Sequence, residues 1–457
     1  MFLKRYKPSL LFVLLTILFY VSFAYDLSRI DYIKLVSLYV ALFILFYKLL
    51  KLNGQNFTFL AVLAFSFRLL FLFSIPNLSQ DFYRFLWDGR MILQGFNPYV
   101  HTPESFIING TSPVYQAQEL YNGMGILNAS HFTNYPPLNQ LCFVIAGLFA
   151  GKSILGSVIV LRLMIIAADF GTLYFGKKLL HKLNIPVNTI FWFILNPFII
   201  IELTGNLHFE SVMIFFLIWS LYLFQVGKWR FSAVIFAFSI SIKLIPLIFL
   251  PLFFNWFFNG KLSIKDWRLH SLEFKNLFFF YSLIIFITLI LFIPFYSLAF
   301  IQNYTQTVIL WFQDFEFNAS LYYVARTIGY LFRGYNEIGL IGKIFPVIIF
   351  LFVLYTTFFR KNKPLKELIL SMFIVLSFYY FMSTTVHPWY IATLLILSLF
   401  TKYKFPLVWS FAAILSYLAY ANSDNTENLW VISLEYILVY GFLIWEVFIK
   451  KATKMIA

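Results

Sequence analysis

The chain has 457 residues, 61% hydrophobic and 12% charged, with a mean hydropathy of +0.82; a soluble domain carries about 25% charged residues. Apolar runs near the roughly 20 residues that cross a bilayer recur along it, which excludes a soluble globule and predicts an all-α, polytopic transmembrane helical bundle. The net charge of +15 has no zinc finger, Gly-rich phosphate loop or basic arm beside it, so no nucleic acid partner is expected, and the single Cys142 excludes an intramolecular disulfide and a Cys-rich metal site.

Spans are expected at about 8–24, 33–50, 57–76, 154–176, 187–204, 208–225, 231–243, 245–258, 276–298, 338–359, 366–386, 388–401, 405–421 and 429–449, fourteen in all. Lys4, Arg5 and Lys7 before the first run give it the look of a signal peptide. Ala24-Tyr25-Asp26 is a poor cleavage context, so the run is read as a retained helix. The apolar segment 138–150 is short for a crossing and is placed as a re-entrant or interfacial helix on the side of the loop before it.

The charges test that placement. Lys4–Lys7, Lys48 and Lys51, Lys177–Lys182, Lys228 and Arg230, Lys261–Lys275, Arg360–Lys366, Lys402 and Lys404, and Lys450–Lys454 all fall at one side, 23 of the 34 basic residues. By the positive-inside rule that side is cytoplasmic, and both termini lie there. Letting 138–150 cross would invert the bias. The whole chain is read as one membrane domain. Its outer loops are 77–150, with juxtamembrane helices, and 301–337; an inner basic loop lies near 259–275.

The polar motifs then converge on the outer side. Asp81-Phe82-Tyr83-Arg84-Phe85-Leu86-Trp87-Asp88-Gly89-Arg90 places two carboxylates and two guanidiniums beside a span, and such a cluster is a site hypothesis by default. Asp81 can be a helix cap or a general base. Arg84 and Arg90 can pair with the acids, or hold a phosphate, for which guanidinium geometry is suited. Gly95-Phe96-Asn97-Pro98-Tyr99 closes that helix, and Asn134-Tyr135-Pro136-Pro137 opens the short one. His208 and Glu210, two residues apart, point in different directions and make a poor metal site by themselves. Lys243 sits between two short spans, where it either snorkels or meets a phosphate. Gln313-Asp314-Phe315-Glu316-Phe317-Asn318-Ala319-Ser320 lies in the second loop, and His387-Pro388-Trp389-Tyr390 opens a span, where Trp and Tyr also suit an aromatic belt. Convergence of separated polar segments on one face is what an extracytoplasmic active site produces.

In their order, these motifs resemble those of the GT-C superfamily of integral-membrane glycosyltransferases. Within it they look most like the polyprenyl-phosphate-mannose-dependent mannosyltransferases, including the GPI mannosyltransferase I group and bacterial relatives. The residues that carry the resemblance are Asp81-x-x-Arg84-x-x-Trp87-Asp88-Gly89 with Asn97-Pro98-Tyr99, Tyr135-Pro136-Pro137-Leu138, Asn196-Pro197 with Glu202 and His208-x-Glu210, Lys243-Leu244-Ile245-Pro246, Asn318-Ala319-Ser320-Leu321-Tyr322, and His387-Pro388-Trp389-Tyr390. The resemblance implies a GT-C-like fold with the catalytic acid in the first outer loop, at Asp81, with Asp88 as second choice. It implies a hexose, mannose first, moved from a polyprenyl-phosphate donor presented by membrane lipid to a glycan, glycolipid or protein acceptor. Arg84, Asp88, Arg90, Tyr135, His208, Glu210, Lys243, Asn318 and His387 are the expected substrate-binding residues. Lys243, Arg84, Arg90 and His208 are the candidates to neutralise the leaving phosphate. Phe82-Tyr83 follows Asp81, so there is no Asp-x-Asp pair and no metal is carried over, although a divalent ion is left open. Two spans precede the one leading into the catalytic loop, where many relatives have none. Asp81 and Asp88 lie ~10 Å apart along a helix, slightly beyond the usual glycosidase spacing. Two rival readings are a flippase for lipid-linked sugar, which needs charges along a path through the bilayer, and a lipid-linked polysaccharide polymerase or ligase.

Overall fold

The computed structural model describes residues 2–258, 271–313, 315–422 and 426–449. Most of the expected inner basic loop, together with Asp314, Lys450, Lys451 and Lys454, lies outside the described residues. Among the described residues the chain is helical, apart from a lone bridge between Phe317 and Thr385. The helices are α1 (Phe2–Tyr25), α2 (Tyr32–Asn53), α3 (Phe57–Leu69), α4 (Asp81–Leu93), α5 (Pro103–Ile108), α6 (Ala117–Ser130), α7 (Pro137–Ala150) and α8 (Ile154–Lys182). They continue as α9 (Phe191–Ile194), α10 (Pro197–Ile199), α11 (Glu210–Gln225), α12 (Trp229–Ile242), α13 (Phe254–Phe257), α14 (Ser271–Phe292), α15 (Leu298–Gln313) and α16 (Leu321–Arg333). The chain ends with α17 (Ile338–Phe359), α18 (Leu365–Met382), α19 (Ile391–Ser398), α20 (Phe405–Ala412) and α21 (Leu429–Ile444).

Local chemistry sets many of the starts. Asp31, Asn56, Thr102 and Ser153 accept from the backbone N–H three residues on, and Pro103, Pro137 and Pro197 open helices where their missing donor costs nothing. Seven helices are long and apolar enough to cross a membrane. The pair Val187–Ile194 and Pro197–Gly205, bent by 52°, makes an eighth if it is one broken span. The remaining expected spans coincide with shorter apolar helices, so the bundle is polytopic, while seven or eight helices meet the length a crossing needs. The segment expected at 57–76 leaves the helix at Leu69 and runs on as turns into α4. The segment expected at 245–258 is 3₁₀ over Ile245–Phe253, where Pro246 and Pro251 remove donors that an α-helix requires.

The core of the bundle holds charge. Arg68 of α3 and Asp169 of α8 pair at 2.6 Å with both side chains sealed from solvent. Ser211 of α11 donates to the same carboxylate. Arg68 also donates to the carbonyls of Ala64 and Ile194, the second at the break between α9 and α10.

Cross-ties gather the expected outer segments at one end of the bundle. The Leu78 N–H donates to Asn206 (3.3 Å), Asn97 to the Phe295 carbonyl (2.9 Å), Asn303 to the Tyr99 carbonyl (3.1 Å) and Tyr304 to the Asn134 carbonyl (3.2 Å). Phe317 exchanges backbone bonds with Thr384 and Val386. The expected inner turns meet at the opposite end, where Asn188 donates to the Gly54 carbonyl and Asn362 to the Leu252 carbonyl. The short helix α7 packs on α4 so closely that a Cβ on Gly89 would sit 2.3 Å from the Phe143 carbonyl oxygen. Gly89→Ala is therefore expected to lower stability by about 1–3 kcal/mol. Gly441→Ala, where a Cβ meets nothing within 4 Å, serves as the control in thermal unfolding of the detergent-solubilised protein. Equal midpoints for the two variants would contradict this packing.

Candidate active site

Asp81 is the first residue of α4, where the helix dipole favours a negative charge. The preceding Ser79 hydroxyl accepts from its N–H (3.3 Å), and Asn128 at the end of α6 donates to its carboxylate (3.2 Å). The residue is half-buried. Burial pushes its carboxyl above the ordinary carboxylate range, opposed by the nearby Lys243 ammonium and by the Asn128 bond.

Lys243 follows α12 in extended backbone, because the chain must turn there before Pro246. Its ammonium lies 2.5 Å from a Glu210 oxygen at the start of α11, and Glu210's other oxygen has no partner. Glu210 is 3% exposed and Lys243 20%, so the cation is the accessible member of the pair. The Lys243 charge also reaches His208 and His387.

The two histidines are joined by an aromatic column. His208 stacks on the Trp389 indole at 3.8 Å between centroids, and His387 stacks on the same indole at 4.6 Å. Phe317 stacks on His387 at 5.1 Å. His208 lies in the reversal after α10 and its π-helical extension Ile200–Gly205, where Leu207 adopts a left-handed φ of 63°. Its Nε2 is 3.8 Å from Glu202, too far for a hydrogen bond. His208 Nε2 and His387 Nδ1 are buried without partners. Burial and the Lys243 charge push both rings below the ordinary histidine range, His387 to about 3 and His208 well below its usual value. His208 is expected among the cations; its burial and the Lys243 charge disfavour the protonated ring.

The other expected residues divide in two. Tyr135 lies near Asp81: its ring packs edge-on against Phe85 and Phe143, its carbonyl accepts from Tyr99 (2.6 Å), and burial and the Asp81 charge hold its phenol well above the usual range. Arg84, Asp88, Arg90 and Asn318 are buried in hydrogen bonds that hold the walls. Arg84 pairs with Asp88 at 2.8 Å and donates to the carbonyls of Asn128 and His131, while Gln140 of α7 donates to Asp88. Arg90 donates to Tyr115, Gln116 and Lys152. Asn318, at a left-handed φ of 47°, donates its N–H to Glu427 and its amide to Glu435, and accepts from Tyr436, which seats Phe317 against His387.

Asn128, Phe317 and the Trp389 ring face the site without having been predicted as binding residues. The contiguous His387-Pro388-Trp389 carries a signal for Trp389, although an indole at a span's start equally suits an aromatic belt. Asn128 and Phe317 carried none, being an asparagine and a phenylalanine among many. Among the described residues no three His, Cys, Asp or Glu side chains form a metal-ligand group.

A family model described as "Alpha-(1->6)-mannopyranosyltransferase, N-terminal domain" matches residues 23–259, about half of the chain. The match contains Asp81, His208, Glu210 and Lys243 and stops before Phe317, His387 and Trp389. Alpha-(1->6)-mannopyranosyltransferase A of Mycobacterium tuberculosis (strain ATCC 25618 / H37Rv) is 22% identical over 189 residues, 40% of this chain and 34% of that protein. The aligned part thus spans about a third of that relative's length.

The division of roles has a stability signature. Asp88→Ala strands the buried Arg84 guanidinium and is expected to cost about 3–5 kcal/mol. Asp81→Ala removes one hydrogen bond and relieves a desolvated carboxylate, a change of about 1 kcal/mol or less. Thermal unfolding in detergent compares the two, and similar midpoints would count against the division.

Proposed function

The chain belongs to the alpha-(1->6)-mannopyranosyltransferase family, and on that premise we propose that it transfers a mannosyl group from a polyprenyl-phosphate donor to an acceptor hydroxyl, with inversion, at the extracytoplasmic face of the membrane. One observation carries this reading: Asp81, a half-buried acid whose charge is disfavoured, lies within electrostatic reach of Lys243, a partly accessible cation paired with Glu210. The basic clusters of the sequence lie at the opposite ends of the helices, which supports an outward-facing recess.

A sugar joined through phosphate already has a good leaving group, so the site needs a base for the acceptor and neutralisation of the departing charge. Asp81 takes the acceptor hydroxyl proton as that oxygen forms its bond to the anomeric carbon. The bond from the anomeric carbon to the phosphate oxygen breaks, and its electron pair leaves with the polyprenyl phosphate. Lys243, released from Glu210, meets the phosphate. Among the described residues its one hydrogen bond is to Glu210, so it is more readily released than Arg84 and Arg90, each of which is held by three acceptor groups. The neutral His208 and His387 rings can each offer a ring nitrogen to the phosphate or the sugar without adding charge. The substrate-binding set in this proposal is Lys243, Glu210, His208, His387, Tyr135 and Asn128, while Arg84, Asp88, Arg90 and Asn318 hold the walls.

A flippase needs charge along a path through the bilayer. The intramembrane Arg68 and Asp169 are sealed on each other, and Arg162 is equally buried. That favours the transferase. Transfer is measured with purified protein, labelled polyprenyl-phosphate-mannose and a mannan-type acceptor. Asp81→Asn is expected to abolish transfer with donor binding kept, and Lys243→Ala to lower kcat by on the order of 10²–10³. Normal transfer by Asp81→Asn overturns the assignment of the base, and label that changes leaflet without joining an acceptor supports the flippase. Transfer only from a pyrophosphate-linked glycan supports the polymerase or ligase.

The raised carboxyl adds a pH prediction. Asp81 works deprotonated, and its proton is held more tightly than in a free side chain. Transfer is therefore full at higher pH and is lost as pH falls through a midpoint above the ordinary carboxylate value of about 4. An acid limb at or below that value in kcat/KM would contradict the buried-base reading.

A further inference from the structure

Arg162, in the middle of α8, is completely buried and forms no ion pair with a carboxylate among the described residues. Its guanidinium is spent instead on four backbone carbonyls. Nη1 donates to Leu72 (3.1 Å) and Ser74 (2.7 Å), Nε to Thr204 (2.9 Å) and Nη2 to Gly205 (2.8 Å). These carbonyls belong to two separate stretches of chain. Leu72 and Ser74 lie in the turns that leave α3 and lead to Asp81. Thr204 and Gly205 close the π-helical turn that leads to His208 and Glu210, and through Glu210 to Lys243. Both stretches are helix ends whose carbonyls have lost their intrahelical partners, and a cation suits the negative end of a helix dipole. A second tie joins the same two stretches: Asn206 accepts from the Leu78 N–H (3.3 Å) and donates to Glu202 (3.4 Å).

We infer that Arg162 is a positioning residue for the transfer reaction: it clamps the segment that delivers Asp81 to the segment that delivers His208 and Glu210, and so sets the distance between the base and the Lys243 ammonium. It touches no substrate. The inference rests on the reading of Asp81 as base and Lys243 as phosphate ligand. A lysine at this position keeps the charge but cannot fork to four carbonyls in two segments, so Arg162→Lys loosens the clamp without stranding a bare cavity.

A comparison variant separates positioning from mere stability. Arg68→Lys disturbs an equally buried arginine that ties α3 to Asp169 of α8 and to the Ile194 break, and that donates to none of the four carbonyls Arg162 holds. Full-length protein in lipid nanodiscs is assayed with labelled polyprenyl-phosphate-mannose, at temperatures giving each variant the same margin below its unfolding midpoint. Arg162→Lys is expected to lower kcat on the order of 100-fold with donor KM within about threefold, and Arg68→Lys to hold kcat within about fivefold. Asn206→Ala cuts the second tie and leaves Glu202 the Tyr417 hydroxyl as donor, so it tests the same idea if Arg162→Lys does not fold, and its kcat is expected to fall in the same direction.

A readout independent of turnover is cross-linking between Ser74→Cys and Thr204→Cys in a Cys142→Ser chain with a short thiol-reactive linker. The yield is expected to drop when Arg162→Lys or Asn206→Ala is added and to persist with Arg68→Lys. Equal kcat losses in Arg162→Lys and Arg68→Lys at matched stability, a loss confined to KM, or an unchanged cross-link would overturn the inference. If the unmodified chain transfers no mannose, the functional reading fails, and the cross-link still decides whether Arg162 joins the two segments.

Discussion

A helix that stops inside an apolar medium leaves carbonyls with no partner, and the way this chain satisfies them governs the rest of its structure. Water is absent there, and each bare carbonyl is costly. The helices that lead to the site do stop: α3 ends at Leu69, the bent pair after α8 breaks at Ile194, and its second half ends at Gly205. Two buried guanidiniums, Arg68 and Arg162, take up carbonyls at those interruptions. A planar fork with five donors suits that task. The broken segments end where their reactive side chains can meet.

Several of the candidate site's groups feel one ammonium, that of Lys243. Lys243 holds Glu210, acts on Asp81, and discourages protonation of His208 and His387. Such a site starts near electrostatic balance, with one ammonium, a paired acid and a base whose charge is disfavoured. The aromatic column of His208, Trp389, His387 and Phe317 gives a rigid wall, since each ring is fixed by the next. That wall brings together the turns that precede α11 and α19 and the stretch before α16, which are distant in sequence. The family match stops at residue 259 and covers one half of this arrangement; the other half comes from later in the chain.

Legibility followed the range of each interaction. Asp81 was readable because a charged residue beside an apolar run is conspicuous, and Lys243 because it interrupts one. Arg84 and Arg90 were equally conspicuous, and the sequence could not separate them from Lys243. All three are cations; the difference is that two are held by Asp88 of α4 and by carbonyl and amide oxygens from α6, its flanking residues and the loop before α8. Asn128 was invisible because its role is one hydrogen bond across 47 residues. The 3₁₀ stretch at Ile245–Phe253 was in principle readable from its prolines, but apolarity alone marked it as a span.

The amino-acid sequence by itself determined the class of molecule: its apolar runs, their charge asymmetry and its caps and prolines specify a polytopic helical bundle with its polar motifs gathered at one side. These are local or additive properties, so no knowledge of neighbours is required. Only the tertiary structure decided which polar residues form the recess and which hold its walls. That choice depends on what surrounds each charge after folding, because in a medium without water a guanidinium or carboxylate must spend its hydrogen bonds on whatever the packing brings within reach.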